Sequence, residues 1–404
     1  MADLDEFSEF ERPKRHKLEH PKGWEPGVTW TGNEGTIVVQ AEAEPDPAIW
    51  AHLIADWDLD PTRTEVIPGS VQIRAWDSNV GNGDVRRLKY YRATLRPKEK
   101  RDDKVREDID QLCASVMKRK PSKVDAPLGN RAFLVLASDW QAGKGEGGGS
   151  AAMTERVLLA IDRSVERLKE LKKLGRPASA VYLIGLGDLV EGCSQFYAMQ
   201  EWQTDLDRRE QGRLVRRLLL KAVDAYVDAG YPVVLGAVPG NHGENRNATG
   251  RAYTTWTDND DLATFEQVGE ILAANPDRYA NVNIPIGAIS DDLTMTLDIA
   301  GVPCGFAHGH QFPRSGGAQT KIEGWWKGQA LGRQAIADAE LLFAGHLHHF
   351  VTSEATGRTL FQAPAMDGGS KWFTQTTGSS SPAGMLTMMI GSAYPRGWGD
   401  LEII

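Results

Sequence analysis

From residue 128 onward the chain repeats one pattern: a short apolar run, a polar loop, then an amphipathic helix. Phe133-Leu134-Val135-Leu136-Ala137 is uninterrupted and apolar, as a strand buried on both faces requires. Between Met153 and Leu174, the residues Val157, Leu158, Ile161, Val165, Leu168 and Leu171 fall on one helical face, and Gly175 closes the helix. Val181 to Leu186 is a second strand, Asp205 to Gly230 a second long helix, and Val233 to Val238 a third strand. This alternation is the βαβ rhythm of a layered α/β domain. Segments 293–299, 302–307, 340–345, 358–363 and 384–391 then read as strands, with one helix near 319–338. The expected fold class is therefore α/β, or α+β by sheet content, with a two-sheet core flanked by helices.

A chain of 404 residues exceeds the usual single core, so two domains are expected. Residues 1–22 alternate acids and bases with few apolar groups and read as a disordered tail. Residues 23–97 read as a small mixed accessory domain. It has a strand at Thr36 to Gln40. A helix then runs through Ile49, Trp50, Leu53, Ile54 and Trp57, with Asp46 as its cap and Pro47 in its first turn. Alternating strands follow at Val71 to Trp76 and Arg86 to Leu95, joined by the turn at 79–83. Trp50, Trp57 and Trp76 are expected in its core. Residues 98–127 read as a charged linker whose Ile109, Leu112, Val116 and Met117 form a thin helical stripe, and 128–404 as the catalytic domain.

Net charge is −9, but its distribution is uneven. Residues 1–85 hold 17 acids against 7 bases, whereas residues 86–123 hold 14 bases against 6 acids. A basic block between acidic regions has two readings. It is a solvated face plus a charged linker, or Arg86, Arg87, Lys89, Arg92 and Arg96 follow a phosphate backbone while Tyr90 and Tyr91 stack on bases. Cys113, Cys193 and Cys304 share no CxxC spacing and cannot build a disulfide framework, so a reducing, cytoplasmic compartment is expected. The N-terminus has no apolar signal core, and no window approaches a membrane-spanning length of apolar residues.

Polar residues follow each of the first three strands of the large domain, where ligands of α/β sheets bind. The ends read Ser138-Asp139-Trp140-Gln141, Gly187-Asp188-Leu189-Val190-Glu191 and Pro239-Gly240-Asn241-His242-Gly243-Glu244. Later come Ala307-His308-Gly309-His310 and Gly345-His346-Leu347-His348. Five of the nine histidines lie within 308–310 and 346–349. Two histidines one residue apart, just past a strand, point to the same side of an extended backbone, which suits adjacent metal ions. Taken singly, each motif has a plainer use: Asp139 and Asp188 as helix caps, Asn241-His242-Gly243 as a turn, His308 as a core histidine.

Together, over residues 131–350 and more loosely to about 391, these blocks resemble the calcineurin-like metallophosphoesterase family, whose D-x-H, G-D, G-N-H-D/E, lone His and G-H-x-H blocks occur in this order. The resemblance implies a metallophosphoesterase core with two divalent ions. Asp139, Gln141, Asp188 and His348 would hold the first, and Asp188, Asn241, His308 and His346 the second. Such a pair clamps the attacking and leaving oxygens of a phosphoester and supplies hydroxide at neutral pH. His242 would touch the scissile phosphate and protonate the leaving group. Oxygen and nitrogen donors without thiolate suit Mn2+ first, with Mg2+, Fe2+ or Zn2+ also compatible. Gln141 stands where the family has His, a neutral and weaker ligand, which loosens the expected first ion. Arg246, His310 and Lys144 are candidate substrate contacts, and the loop 367–372 a candidate lining.

The substrate stays open between two classes. The accessory domain and basic block favour a nucleic-acid phosphodiesterase, similar to the DNA-repair nucleases of this superfamily. The Ser138-to-Gln141 variant, the Gly345-to-Phe350 ending and the Trp-rich accessory domain look similar to metallophosphoesterases of actinobacterial phages. The acidic catalytic half favours a small nucleotide or phosphomonoester. A decayed binding scaffold is the third reading, disfavoured by the intact His242 and six unaltered ligand positions. A homodimer is an expectation at family level.

Overall fold

The computed structural model describes residues 23–31, 34–61, 63–67, 69–79, 85–97, 109–127, 129–193, 204–247, 249–289, 292–313, 316–369, 375 and 381–404. The expected tail 1–22, most of the turn 79–83, the linker stretch 98–108 and loop residues 370–372 lie outside the described residues. The chain divides into two compact units, Met1–Glu107 and Asp108–Ile404.

In the first unit, β1 (Gly27–Thr31), β2 (Glu34–Gln40), β5 (Val85–Pro97) and β3 (Thr64–Val66) lie side by side, and β4 (Gln72–Asn79) also pairs with β5. Helix α1 (Pro47–Ala55) starts as its sequence predicts: the Asp46 side chain accepts from the Ile49 N–H at 2.8 Å, and Pro47 occupies the first turn. Trp50 and Ile54 of α1 cover one face of the sheet, packing with Ile37, Val39, Tyr91, Ala93 and Leu95. Trp57, expected in the core, is 42 % exposed: the helix ends at Ala55, so Trp57 leaves the face that Trp50 and Ile54 bury. Trp76 is half-buried, stacked on Tyr90.

The second unit is layered. One sheet runs β16 (Trp398–Ile403), β15 (Leu386–Ile390), β6 (Ala132–Ala137), β7 (Val181–Gly185), β8 (Val233–Ala237) and β9 (Val282–Asn283). Its β6 to β9 pair in parallel, while β15 runs antiparallel to β6. The other sheet runs β10 (Thr294–Ile299), β11 (Val302–Ala307), β12 (Leu341–Ala344), β14 (Arg358–Gln362) and β13 (Val351–Ala355). Alternation along β6 shows how the layers form. Phe133, Val135 and Ala137 pack beneath the helices α3 (Gly149–Lys173), α4 (Arg208–Asp228) and α5 (Asp260–Ala273), while Leu134 and Leu136 face Phe306, Phe343 and Phe361 of the other sheet. Helix α6 (Ala318–Leu331) covers that sheet's outer side through Ile322 and Trp326. The mixed α/β, two-sheet architecture flanked by helices is the fold class the sequence predicts.

Two differences stand out. Helix α5 was not expected, although Asn259 caps it and Leu262, Phe265, Val268 and Ile271 are buried along one face. The predicted linker helix, α2 (Ile109–Met117), is instead docked: Leu112 and Val116 are buried in the core of the second unit. The Asn275 side-chain amide donates to the Val116 and Arg119 carbonyls at 2.8 and 3.0 Å. The carbonyls at the end of α2 thus find donors inside the unit.

Candidate metal centre

The polar ends of β6, β7, β8, β11 and β12 meet at one edge of the two sheets. Asp139, Asp188 and His308 are fully buried there, with Gln141 and Asn241 close to it. The backbone at these ends is unusual. Asp139, Gln141, Asp188, His346 and His348 have φ of 50°, 46°, 53°, 73° and 58°, in the left-handed region that non-glycine residues seldom enter. Backbone strain of this kind gathers at functional sites. It also corrects the extended geometry expected for His346 and His348: β12 ends at Ala344, and the chain bends through both histidines. Close approach explains two glycines of the motifs. A Cβ at Gly240 would overlap the Asp188 amide and carboxylate, and one at Gly345 would crowd Ser138 and Asp139.

Asp188, His308 and His346 place ligand atoms within 4.8 Å of one another, and Asn241 joins them. His308 Nε2 lies 2.9 Å from Asp188 Oδ2 and 3.0 Å from Asn241 Oδ1. His308 Nδ1 is 2.7 Å from the Leu186 carbonyl, so that nitrogen carries a proton. A neutral His308 then turns a lone pair toward two oxygen acceptors. Asp188 Oδ2 is buried, and a neutral His308 of this tautomer donates nothing to it. Lone pairs converging without a donor call for a cation, either an imidazolium proton or a metal ion. These residues fit a divalent metal, and oxygen and nitrogen donors suit Mn2+, Fe2+ or Zn2+.

The electrostatics agree with a cation-seeking cluster. Burial opposes the Asp188 charge, but the His308 and His242 imidazoles outweigh it and hold the carboxyl well below its usual range. Burial lowers His308, and Asp188 outweighs it, leaving the pKa at about 8. Burial and then the His308 charge push His346 down to about 4 and His310 to about 3. The ring of His310 lies 5.5 Å from that of His308 and 6.4 Å from that of His346, so this candidate substrate contact stands beside the cluster.

Asp139 and His348 form a second group. Asp139 accepts from Ser138 Oγ and from the His346 N–H at 3.0 Å, and His348 Nε2 is 3.2 Å from Asp139 Oδ1. His348 Nδ1 is 3.4 Å from Asp367. Burial would lower the His348 imidazole; Asp139, then Asp367, outweigh it and push the pKa up to about 10. Gln141 Oε1 accepts from Lys144 Nζ at 3.0 Å, and Lys144 also pairs with Asp367. The Gln141 amide nitrogen lies 3.4 Å from His242 Nε2.

His242 is held from two sides. Its backbone N–H donates to Asp188 Oδ1 at 2.8 Å. Its Nδ1 is 3.0 Å from the Glu191 carbonyl and 3.4 Å from the Glu191 carboxylate, which turns Nε2 inward, 3.9 Å from Asp188 Oδ2. Burial lowers its pKa, but Asp188 and Glu191 overcome this and bring it to about 9.

One residue central to this architecture was missed from sequence. The Asp261 carboxylate accepts from the N–H groups of Asp188, Leu189, Val190 and Gly240 at 2.8, 2.9, 3.3 and 3.1 Å. It ties the β7 and β8 ends together beneath the centre. Burial, then the Asp188 charge, push its carboxyl up to about 7, against the N–H groups that favour the charged form. Its only sequence signal is its place in the first turn of α5, where acids are common.

Other candidates fall elsewhere. Arg246 pairs with Glu244, which occupies much of its charge. In the first unit Tyr90 and Tyr91 are 0 % and 3 % exposed, so neither ring is available to a base. Tyr90 stacks on Trp76 with ring centres 4.6 Å apart, and Tyr91 packs beneath α1. Lys89 Nζ donates to the Glu42 carbonyl at 2.9 Å. The Arg92 guanidinium lies over the Trp24 ring at 4.9 Å and donates to the Gly23 carbonyl. Arg87 is exposed, 3.8 Å from Asp77, and the side chain of Arg86 lies outside the described residues. Among the described residues, no helix is long and apolar enough to cross a membrane.

No protein-family model matches the chain, and no curated protein matches it. Several solved structures do align loosely. Vacuolar Protein Sorting 29 from Cryptosporidium parvum is 14% identical, with a TM-score of 0.30 over 68% of this chain and 98% of that one. An archaeal phosphodiesterase is 12% identical, with a TM-score of 0.30 over 67% of this chain and 99% of that one. A predicted phosphoesterase from Streptococcus pneumoniae is 10% identical, with a TM-score of 0.27 over 69% of this chain and 99% of that one. Similarity this loose leaves the chemistry to be argued from the chain's own residues.

Proposed function

We propose that the protein is a metal-dependent phosphoester hydrolase of the calcineurin-like kind, with a nucleic-acid phosphodiester as its substrate. One observation carries the hydrolase reading: buried Asp188 Oδ2 and His308 Nε2 face each other at 2.9 Å with His346 and Asn241 beside them, a donor set that a divalent cation completes. A bound divalent cation supplies Lewis-acid polarisation of a phosphoryl oxygen and acidifies a water. Mn2+ is the first candidate, with Mg2+, Fe2+ and Zn2+ behind it. Asp188, Asn241, His308 and His346 would hold it, and Asp261 keeps the Asp188 and Gly240 backbone in place.

His242 is the proton donor of this reading. The Glu191 carbonyl fixes Nδ1, and Nε2 faces the centre, where it is placed to protonate a leaving oxygen. The Glu191 carboxylate, 3.4 Å from Nδ1, favours the protonated imidazole that a general acid requires.

The nucleic-acid substrate rests on the basic block of residues 86–123, with 14 bases against 6 acids, and on the exposed Arg87. A small nucleotide or phosphomonoester is the second reading, and the burial of Tyr90 and Tyr91 favours it, because it removes the expected stacking platform. Mn2+-dependent cleavage of single-stranded DNA, duplex DNA, RNA and a small chromogenic diester, each at low and high salt, separates the two. Nucleic-acid cleavage that falls steeply with salt supports the first reading. Turnover of the small ester alone, without DNA retention at low salt, supports the second. No metal-dependent turnover of any phosphoester removes both.

A further inference from the structure

We infer that the ammonium of Lys144 takes the place of the first metal ion, so that the chain holds a single divalent cation, at Asp188, Asn241, His308 and His346. This rests on the metallophosphoesterase reading above and departs from the two-ion site that the sequence resemblance implies.

Three of the four groups expected around a first ion, Asp139, Gln141 and His348, already have partners within the protein. Gln141 Oε1, the side chain's one ligand oxygen, accepts from Lys144 Nζ at 3.0 Å, and the Gln141 backbone carbonyl accepts from the Lys144 N–H at 2.9 Å. The other end of the same amide lies 3.4 Å from His242 Nε2. Gln141 therefore stands between Lys144 and His242. Asp139 accepts from Ser138 Oγ and the His346 N–H and faces His348 Nε2. His348 lies between Asp139 and Asp367, 3.2 and 3.4 Å from them. Lys144 itself bridges Gln141 and Asp367, with its side chain 17 % exposed.

The contrast with the other half is chemical. Around Asp188 Oδ2, the facing groups are the His308 ring nitrogen at 2.9 Å and, on that same nitrogen, Asn241 Oδ1 at 3.0 Å, all of them atoms that can ligate a metal. Around Gln141 and Asp367, the positive charge is already present as a lysine. A dication placed beside it would meet a like charge and would have to displace the ammonium from both oxygens. The family's histidine at this position would offer Lys144 no carbonyl oxygen; glutamine does. Lys144 is then a positive group close to the centre, positioned to meet a non-bridging phosphate oxygen as a point charge.

The number of bound ions tests this directly. Mn2+ titration of the full chain, followed by calorimetry and by electron paramagnetic resonance, is expected to give one ion per chain with the resolved hyperfine pattern of isolated Mn2+. Lys144→Met combined with Gln141→His is expected to take up a second ion and show the spectrum of a coupled pair, whereas Lys144→Arg stays at one. Circular dichroism and the thermal midpoint establish that each variant is folded. Two ions of similar affinity in the unaltered chain overturn the inference and leave the hydrolase reading standing. No ion at all overturns both. A double variant that is folded yet still binds one ion also overturns the role given to Lys144.

Discussion

His308 Nε2 stands 2.9 Å from Asp188 Oδ2, while the opposite ring nitrogen is fixed on the Leu186 carbonyl. The imidazole is thereby held in one orientation, with Nε2 aimed at a buried carboxylate oxygen, and either an imidazolium proton or a metal ion joins the two.

Removing the Asp188 charge at constant shape tests this relationship. Asp188→Asn is expected to lower divalent-metal affinity by at least ~100-fold and to abolish phosphoester hydrolysis. Metal content after dialysis, measured beside turnover, checks both. Unchanged metal retention would show that the donors converge for another reason.

His242 touches the centre through Nε2 without belonging to the cation's donor set. His242→Ala is expected to slow hydrolysis by roughly 10²–10⁴-fold and to leave metal affinity within a small factor of the unaltered protein. A substrate with a very acidic leaving group is expected to recover most of the lost rate, since it needs no proton. Failure of that recovery would count against the general-acid role.

Asp261 anchors four backbone N–H groups, and an amide in its place turns one acceptor into a donor. Asp261→Asn is expected to destabilise the second unit by about 1–3 kcal/mol. Metal affinity is expected to fall by ~10–100-fold as the Asp188 backbone loosens. Urea unfolding and metal titration measure the two effects, and a change in neither would show that the anchor is dispensable.

In the metal-free protein, His348 carries a pKa of about 10 against an ordinary 6.5, the Asp139 and Asp367 charges having outweighed burial. Because the folded value is raised, protonation stabilises the fold fully below about pH 6.5, and this contribution is lost as pH climbs through about 10. The urea midpoint of metal-free protein is expected to fall over that interval, and His348→Gln is expected to flatten the decline. An identical decline in the variant would assign it to other groups.

Much of the large unit was legible along the chain. Apolar runs such as 133–137 and 233–238 mark strands because a strand covered on both faces has no room for polar side chains. The Asp, Asn and His residues after those runs mark the site because strand ends of one sheet share an edge. The first unit was less legible. Tyr90 and Tyr91, both expected to stack on bases, are neighbours on β5 and point to opposite faces. In the folded unit both faces are covered, by α1 over Tyr91 and by Trp76 and Trp24 beside Tyr90.

The order of elements and the residues that can donate to a cation are properties of the chain itself, because period, burial pattern and ligand chemistry are local. Which donors remain available is not local. Lys144 finds Asp367 across 223 residues, and the His346 N–H finds Asp139 across 207. A hydrogen bond depends on distance in space, which spacing along the chain does not specify. For that reason only the tertiary structure separates the donors left for a metal, around Asp188 and His308, from those already satisfied, around Asp139 and Gln141.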